Sequence, residues 1–426
     1  MDNPLLDTLH LPIFSKIVPD AIEPALDHLL AENRATIKNL LETSTDTHFT
    51  WSNLIAPLEE LSDRLESFWS PIGHLNAVLN SESLRKVYHA CLTKLSDYQT
   101  ELGQNESLYK AYLAVAQSPK FKSLNQAQQK LINDALRDFK LSGVTLPAPE
   151  KKRFAELEKK LTLATNKFEE NVLDATDNWS LLITDEKMLE GLPENTREEA
   201  KSAAKRKDKE GWLITIEAPV YISVITYAEN ATLRQTVYEA YTTRASDQGP
   251  NAGKWDNSAV MLEILNLRHE LAGLLHYKNY AELSLATKMA KSPEQVLAFL
   301  NDLANRSYDT AIREFEELEV FANENFDVER LNPWDIAYYS EKLYQFRFSI
   351  SQEELRTYFP ADHVLHGLFT IVKHLFGIHV LEKKGIDTWH PDVRFYEVYD
   401  ANKNHICTGL INWQIKAWKN VKTQIN

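Results

Sequence analysis

The side chains here with the strongest claim to metal chemistry are thirteen histidines and two cysteines in 426 residues. A helix holds a catalytic zinc with His-Glu-x-x-His. The two histidines lie one turn apart, so both nitrogens reach about 2.0–2.1 Å from one ion, and the glutamate acts as base. That string does not occur in the sequence. The nearest approach is His269-Glu270, where position 273 is Gly273 and the next histidine is His276. Seven residues of helix make about two turns and rise about 10.5 Å, so this pair can share a face but not an ion. His363 and His366 have an i, i+3 spacing that can chelate, yet His374 lies eleven residues beyond His363 and His379 further still. On a continuous helix, eleven residues are about 16 Å. His405-x-Cys407 offers two soft ligands without two more. Gly249-Pro250-Asn251-Ala252-Gly253-Lys254 has the outline of a phosphate loop. It has one residue too few between its glycines, and Trp255 follows the lysine instead of Ser or Thr. No Gly-x-Ser-x-Gly elbow is present. These spacings assign no catalytic residue, no metal ligand and no substrate-binding residue.

The composition narrows the partners. Hydrophobic residues make up 43% and charged residues 25%, and the formal net charge is −14. Nucleic-acid binding needs a basic footprint, and the one local cluster (Lys201, Lys205, Arg206, Lys207, Lys209) is broken by Asp208 and Glu210. No nucleic-acid partner is expected. Cys91 and Cys407 give no disulfide framework, which fits a reducing compartment. The start, Met1-Asp2-Asn3-Pro4, lacks the basic and apolar stretches of a leader. No run is apolar enough to cross a bilayer, so no membrane partner is expected and the cytoplasm is the expected location.

Twelve glycines among many Leu, Ala, Glu and Lys favour helix. Ile22, Leu26, Leu29, Leu30, Ile37, Leu40 and Leu41 form a 3.6-residue stripe, with Asp20 placed as its cap. Similar patterns cover 54–69, 82–101, 105–117 and 124–141. Ser142-Gly143 ends a helix, and a long charged helix follows over 150–175. The segments 179–184 and 212–216 are β-branched and aromatic, and predict two short strands around a helical insertion. Helices resume near Leu233 and continue through 256–276, 293–325 and 361–376. Residues 393–399 alternate as a strand, 400–404 read as a turn, and a second strand starts near Ile406.

Specific strings carry more than these patterns. Residues 238–257, with Thr242-Thr243-Arg244-Ala245-Ser246-Asp247-Gln248-Gly249-Pro250-Asn251 at their centre, resemble the thimet-oligopeptidase family of zinc metallopeptidases. So do Pro333-Trp334-Asp335-Ile336-Ala337-Tyr338-Tyr339, Asn133-Asp134-Ala135-Leu136-Arg137-Asp138-Phe139, Trp389-His390-Pro391-Asp392-Val393-Arg394-Phe395 and the opening Asn3-Pro4-Leu5-Leu6. The strings keep their order over about residues 1–409.

The resemblance implies a mainly α, two-lobed protein with a small β-sheet element, in which a channel between the lobes admits peptides. It implies cytoplasmic peptidase activity on short peptides, including signal-peptide fragments. The family's zinc is held by the histidines of His-Glu-Phe-Gly-His and a glutamate on the next helix, with the motif glutamate as general base. Zinc is thus the family's cofactor, while no zinc site is expected in this chain. The expected layout is an N-terminal helical domain over 1–178, the first part of a catalytic domain over 179–409, and a tail over 410–426 unlike the family. On that reading the chain stops before the zinc helix and is inactive alone. The alternatives are half of a split enzyme completed by a separate zinc-bearing chain, or a non-catalytic peptide-binding protein. Residues 393–399 are expected on the channel wall, and the loop 244–256 on the substrate-facing lobe.

Overall fold

A computed structural model describes residues 3–7, 10–43, 49–79, 81–350, 354–355 and 357–412. The last fourteen residues, which hold most of the tail read as foreign to the family, lie outside the described residues.

Six helices form the first layer: α1 (Pro19–Thr43), α2 (Ala56–Val78), α3 (Glu82–Gly103), α4 (Glu106–Gln117), α5 (Gln126–Leu141) and α6 (Ala148–Asp177). Polar side chains fix several starts by accepting otherwise orphaned backbone N–H groups. Ser81 accepts from Leu84, Asn105 from Leu108, and Asn125 and Gln128 form a reciprocal capping box. Asp20 does not cap α1. The helix already begins at Pro19, whose missing N–H costs nothing there, and Asp20 sits in the first turn, where a negative charge complements the helix dipole. Gly143, at φ +78°, closes α5. The apolar stripes of these helices converge on two cores. One gathers Ile22, Leu26, Leu29, Phe68, Ile72, Cys91 and Leu95, and the other Leu54, Ile55, Leu108, Tyr112, Ile132 and Phe139.

The antiparallel pair β1 (Ser180–Ile183) and β2 (Trp212–Thr215) follows, with Ser180 opposite Thr215 and Ile183 opposite Trp212. Helix α7 (Glu194–Arg206) lies between them, as the sequence predicts. Next come α8 (Ala218–Tyr227), α9 (Ala231–Thr242), α10 (Ser258–Leu274), α11 (Tyr280–Leu285), α12 (Pro293–Phe326), α13 (Ile336–Phe348) and α14 (Ala361–Phe376). Helix α8 was not predicted. Its Val220, Ile222, Val224, Ile225 and Thr226 are strand formers, but Pro219 presets a helical start, and Val224 and Ala228 are buried in the core behind β2. Helix α10 lies along α6, where Ile264, Leu267 and Leu271 meet Phe154, Leu157 and Ala164.

The chain ends its described course in a three-stranded antiparallel sheet, β3 (His379–Lys383), β4 (Val393–Tyr399) and β5 (His405–Asn412), with β4 central. The hairpin turn forms where predicted. Asp400 accepts hydrogen bonds from the backbone of Asn402 and Asn404, and Lys403 takes a left-handed φ of 68°. Strand β3 was not predicted. It pairs His379 with Tyr399 and Lys383 with Phe395.

Candidate functional site

The sheet and α14 form one unit. Phe369 of α14 packs edge-on against Tyr396 at 5.2 Å, and the Arg394 guanidinium donates to the Asp362 carboxylate at 2.9 Å. Across the sheet, the Lys383 ammonium and the Tyr399 hydroxyl donate to the two oxygens of Glu397, at 2.6 and 2.8 Å. The lysine, first, and the tyrosine hold that carboxyl below its ordinary range. Val393, Phe395 and Tyr396 are buried.

The loop from β3 to β4 reaches back to the N-terminal helices. The Trp389 ring meets Phe14 at 5.0 Å and His74 of α2 at 4.2 Å, both edge-on, and the Ser15 N–H donates to Asp387 at 2.8 Å. The Nε2 atom of His74 is buried without a hydrogen-bond partner. Burial holds its pKa below the ordinary imidazole value.

The sequence candidates fall apart in space or are already engaged. His269 is on α10, but the helix ends at Leu274, and His276 lies beyond it in a left-handed conformation at φ 63°. Glu270, between them, is held by Arg153 through two hydrogen bonds of 2.5 and 2.7 Å, which lower its pKa. His363, His366 and His374 are exposed on α14. Gly377, at φ 69°, then turns the chain so that His379 begins β3. Asp362 lies one turn before His366, a carboxylate that the histidine spacing alone overlooks, and Arg394 engages it. His405 rests its ring on Tyr399, and Cys407 faces Val398 in the β4–β5 register. Among the described residues, no three His, Cys, Asp or Glu side chains gather in a way that holds a metal ion.

The loop 244–256 is a built turn. Several of its backbone N–H groups are spent internally, with Gly253 donating to Ser246 and Asn257 to Ala245. Gly249 sits at φ +75°, and a Cβ there would stand 1.9 Å from Thr243 Oγ1, so only glycine fits. Lys254 lies over the Trp255 ring at 4.1 Å, not in an anion cradle.

The chemistry that spacing did not reveal is an ion pair. Arg234 of α9 is buried and donates to Asp335 at 2.6 Å and to the carbonyls of Ala228 and Glu229, at 2.7 and 3.0 Å. Tyr338 stacks on the guanidinium at 4.2 Å. Its one trace in the sequence is a charged residue on the apolar stripe Leu233, Val237, Ala240.

No described helix is long and apolar enough to cross a membrane. The family model for peptidase family M3 matches residues 224–420, and that for the neurolysin/thimet oligopeptidase N-terminal domain matches residues 26–152. Oligopeptidase A of Escherichia coli (strain K12) is 50% identical over 402 residues, which are 94% of this chain and 59% of the relative. The probable cytosolic oligopeptidase A of Arabidopsis thaliana is 38% identical, over 94% of this chain and 58% of the relative. Dipeptidyl carboxypeptidase of E. coli is 26% identical, over 94% and 59%. The chain therefore spans less than two thirds of the length of the curated relatives it matches. With both family models matched in order and half of the aligned residues identical to an oligopeptidase A, this chain belongs to the thimet-oligopeptidase, or M3, family of peptidases.

Proposed function

We propose that this chain is the scaffold and substrate-facing part of an oligopeptidase A-like enzyme of the cytoplasm that hydrolyses short peptides, signal-peptide fragments among them. In this reading a zinc-bearing His-Glu-x-x-His helix is supplied by sequence outside the stretch that matches the relative, of which this chain covers 59%. The observation that carries this reading is a combination. Identity of 50% runs along 94% of the chain, yet the motif that binds the family's metal is absent from all 426 residues. Without it, the histidines of the described structure do not meet around an ion. The reaction needs a metal to lower the pKa of water and polarise the carbonyl, so these residues alone do not turn over peptide.

In this reading residues 1–178 and 179–409 remain two domains, joined through the shared core of α6 and α10. The sheet β3–β5 lies on the channel wall and the 244–256 loop shapes the facing lobe. The test is hydrolysis of a quenched fluorescent peptide, with zinc supplied. The purified chain is inactive, and it gains chelator-sensitive turnover when co-expressed with the unmatched portion of the E. coli relative. A co-purified pair that stays inactive, with zinc in excess, refutes the reading.

A further inference from the structure

Two arginines belong to the α9 region, and the fold treats them differently. Arg234 is saturated by Asp335 and two backbone carbonyls. Arg244, just beyond the end of α9, is half-buried and has only neutral hydrogen-bond partners among the described residues. Its Nε donates to the Tyr241 carbonyl at 2.8 Å and its Nη1 to the Thr176 hydroxyl at 3.3 Å. The Nε bond closes the last turn of α9, where a cation also suits the helix dipole. That structural duty is met without Nη2, which has no described partner.

Aromatic rings hold the guanidinium in place. Its carbon lies 3.7 Å from the centre of the Tyr241 ring, and Tyr221 of α8 stacks on the same ring at 3.7 Å with planes 7° apart. Two groups this close to one ring centre must occupy its opposite faces. Tyr221, Tyr241 and Arg244 thus form a three-layer stack, and the guanidinium is positioned before any ligand arrives. Tyr238, one turn before Tyr241, is braced edge-on by Trp334 at 6.0 Å. All three tyrosines are half-buried, and none of their hydroxyls has a hydrogen-bond partner among the described residues. Burial, first, and then the Tyr238 and Tyr241 phenols push the Tyr221 hydroxyl above its ordinary pKa, so it remains a donor at neutral pH. Arg244 opposes that shift, so these polar ends lie within electrostatic reach of the Tyr221 hydroxyl.

We propose that Arg244 and the hydroxyls of Tyr221, Tyr238 and Tyr241 form a subsite for a carboxylate of a bound peptide. The claim rests on the peptide substrate proposed above and adds which group of it this face selects. A carboxylate supplies the acceptors that a guanidinium and phenol donors need, and one guanidinium matches its single charge. A phosphate, with more charge, would meet that one cation on a chain of net charge −14. A peptide carries carboxylates at its C-terminus and on Asp and Glu, and the test separates the two sources.

The experiment is fluorescence anisotropy with the full chain and three short peptides labelled at the amino end. One has a free C-terminus and no acidic side chain, the second is its C-terminal amide, and the third is that amide with one Glu introduced. The wild-type chain should bind a carboxylate peptide about tenfold more tightly than the neutral amide, and the peptide preferred identifies the source. Arg244→Gln should lose the preference and bind all three as the wild type binds the amide. Tyr221→Phe/Tyr241→Phe keeps the stacked rings and should cut the preference severalfold; it carries the test if Arg244→Gln does not fold. Lys254→Gln, which removes an exposed cation of the same loop, should keep the preference. A purely structural Arg244 would instead lower thermal stability and weaken all three peptides equally. Equal binding of the three by the wild type overturns the subsite and leaves the proposed peptidase standing. So does a preference that survives the Arg244 and tyrosine variants, or one that vanishes with Lys254→Gln. Binding of no peptide by the folded chain also overturns the subsite, and the co-expression assay then decides the function alone. A preference without turnover on co-expression leaves the subsite standing and sinks only the proposed function.

Discussion

The buried Arg234–Asp335 pair organises one residue neighbourhood. It ties α9 to the turn before α13, and its geometry is worth more than its charge. The guanidinium satisfies two backbone carbonyls as well as the carboxylate, and Asn332 fills the other carboxylate oxygen through its N–H and its amide, at 3.2 and 3.0 Å. Replacing only one partner strands a charge. Arg234→Met should cost about 3–5 kcal/mol, and Arg234→Met with Asp335→Leu clearly less than the sum of the two single changes. Urea unfolding of the three variants checks this; additive costs would show that the two side chains act independently. His74 is a second case. Its ring fills an apolar seat between Phe14 and Trp389, and the nearby Asp387 is engaged by the Ser15 N–H. A folded-state pKa below the unfolded value means that the unfolded chain takes up the proton first. The contribution is therefore complete above about pH 6.5 and is lost as the pH falls below it. Stability measured from pH 7.5 to 5.5 should fall more steeply for the wild type than for His74→Phe. Equal slopes would place the titration elsewhere.

At the scale of elements, helices written by periodicity are legible and those written by packing are not. Helices α1 to α6 appear where their apolar stripes place them, because each stripe has a core to meet. The segment forming α8 is composed of strand formers, and the core behind β2, not local preference, makes it helical. Strand β3 is short and has little alternation to read; its pairing with β4 across sixteen residues of separation defines it. The histidine cluster on α14 was legible as a spacing. The placement of its members depends on Gly377 and on the grip of Arg394 on Asp362, neither of which spacing records. The apolar stripe of α12, bare at Leu300 and covered at Leu318, supplies an internal control. Leu300→Ala should change stability by less than about 0.5 kcal/mol, whereas Leu318→Ala, eighteen residues along and buried, should cost about 2–5 kcal/mol. Thermal unfolding distinguishes them, and a large loss at Leu300 would show that the bare stretch is already packed in the isolated chain.

For the whole molecule, family and surface agree. A chain that matches 59% of an oligopeptidase A presents ordered, uncovered apolar rows in the stretch matched by the M3 family model, and no His-Glu-x-x-His. Both follow if this chain builds the scaffold and the facing lobe while the metal chemistry resides in the unmatched portion. The most direct measurement is turnover of a quenched fluorescent peptide by the purified 426-residue chain with zinc, with and without a chelator, beside the bound zinc content. The account predicts no turnover and no stoichiometric zinc until the unmatched portion of an M3 relative is supplied. Chelator-sensitive turnover by the chain alone, with one zinc bound, would contradict it and turn attention first to His363 and His366.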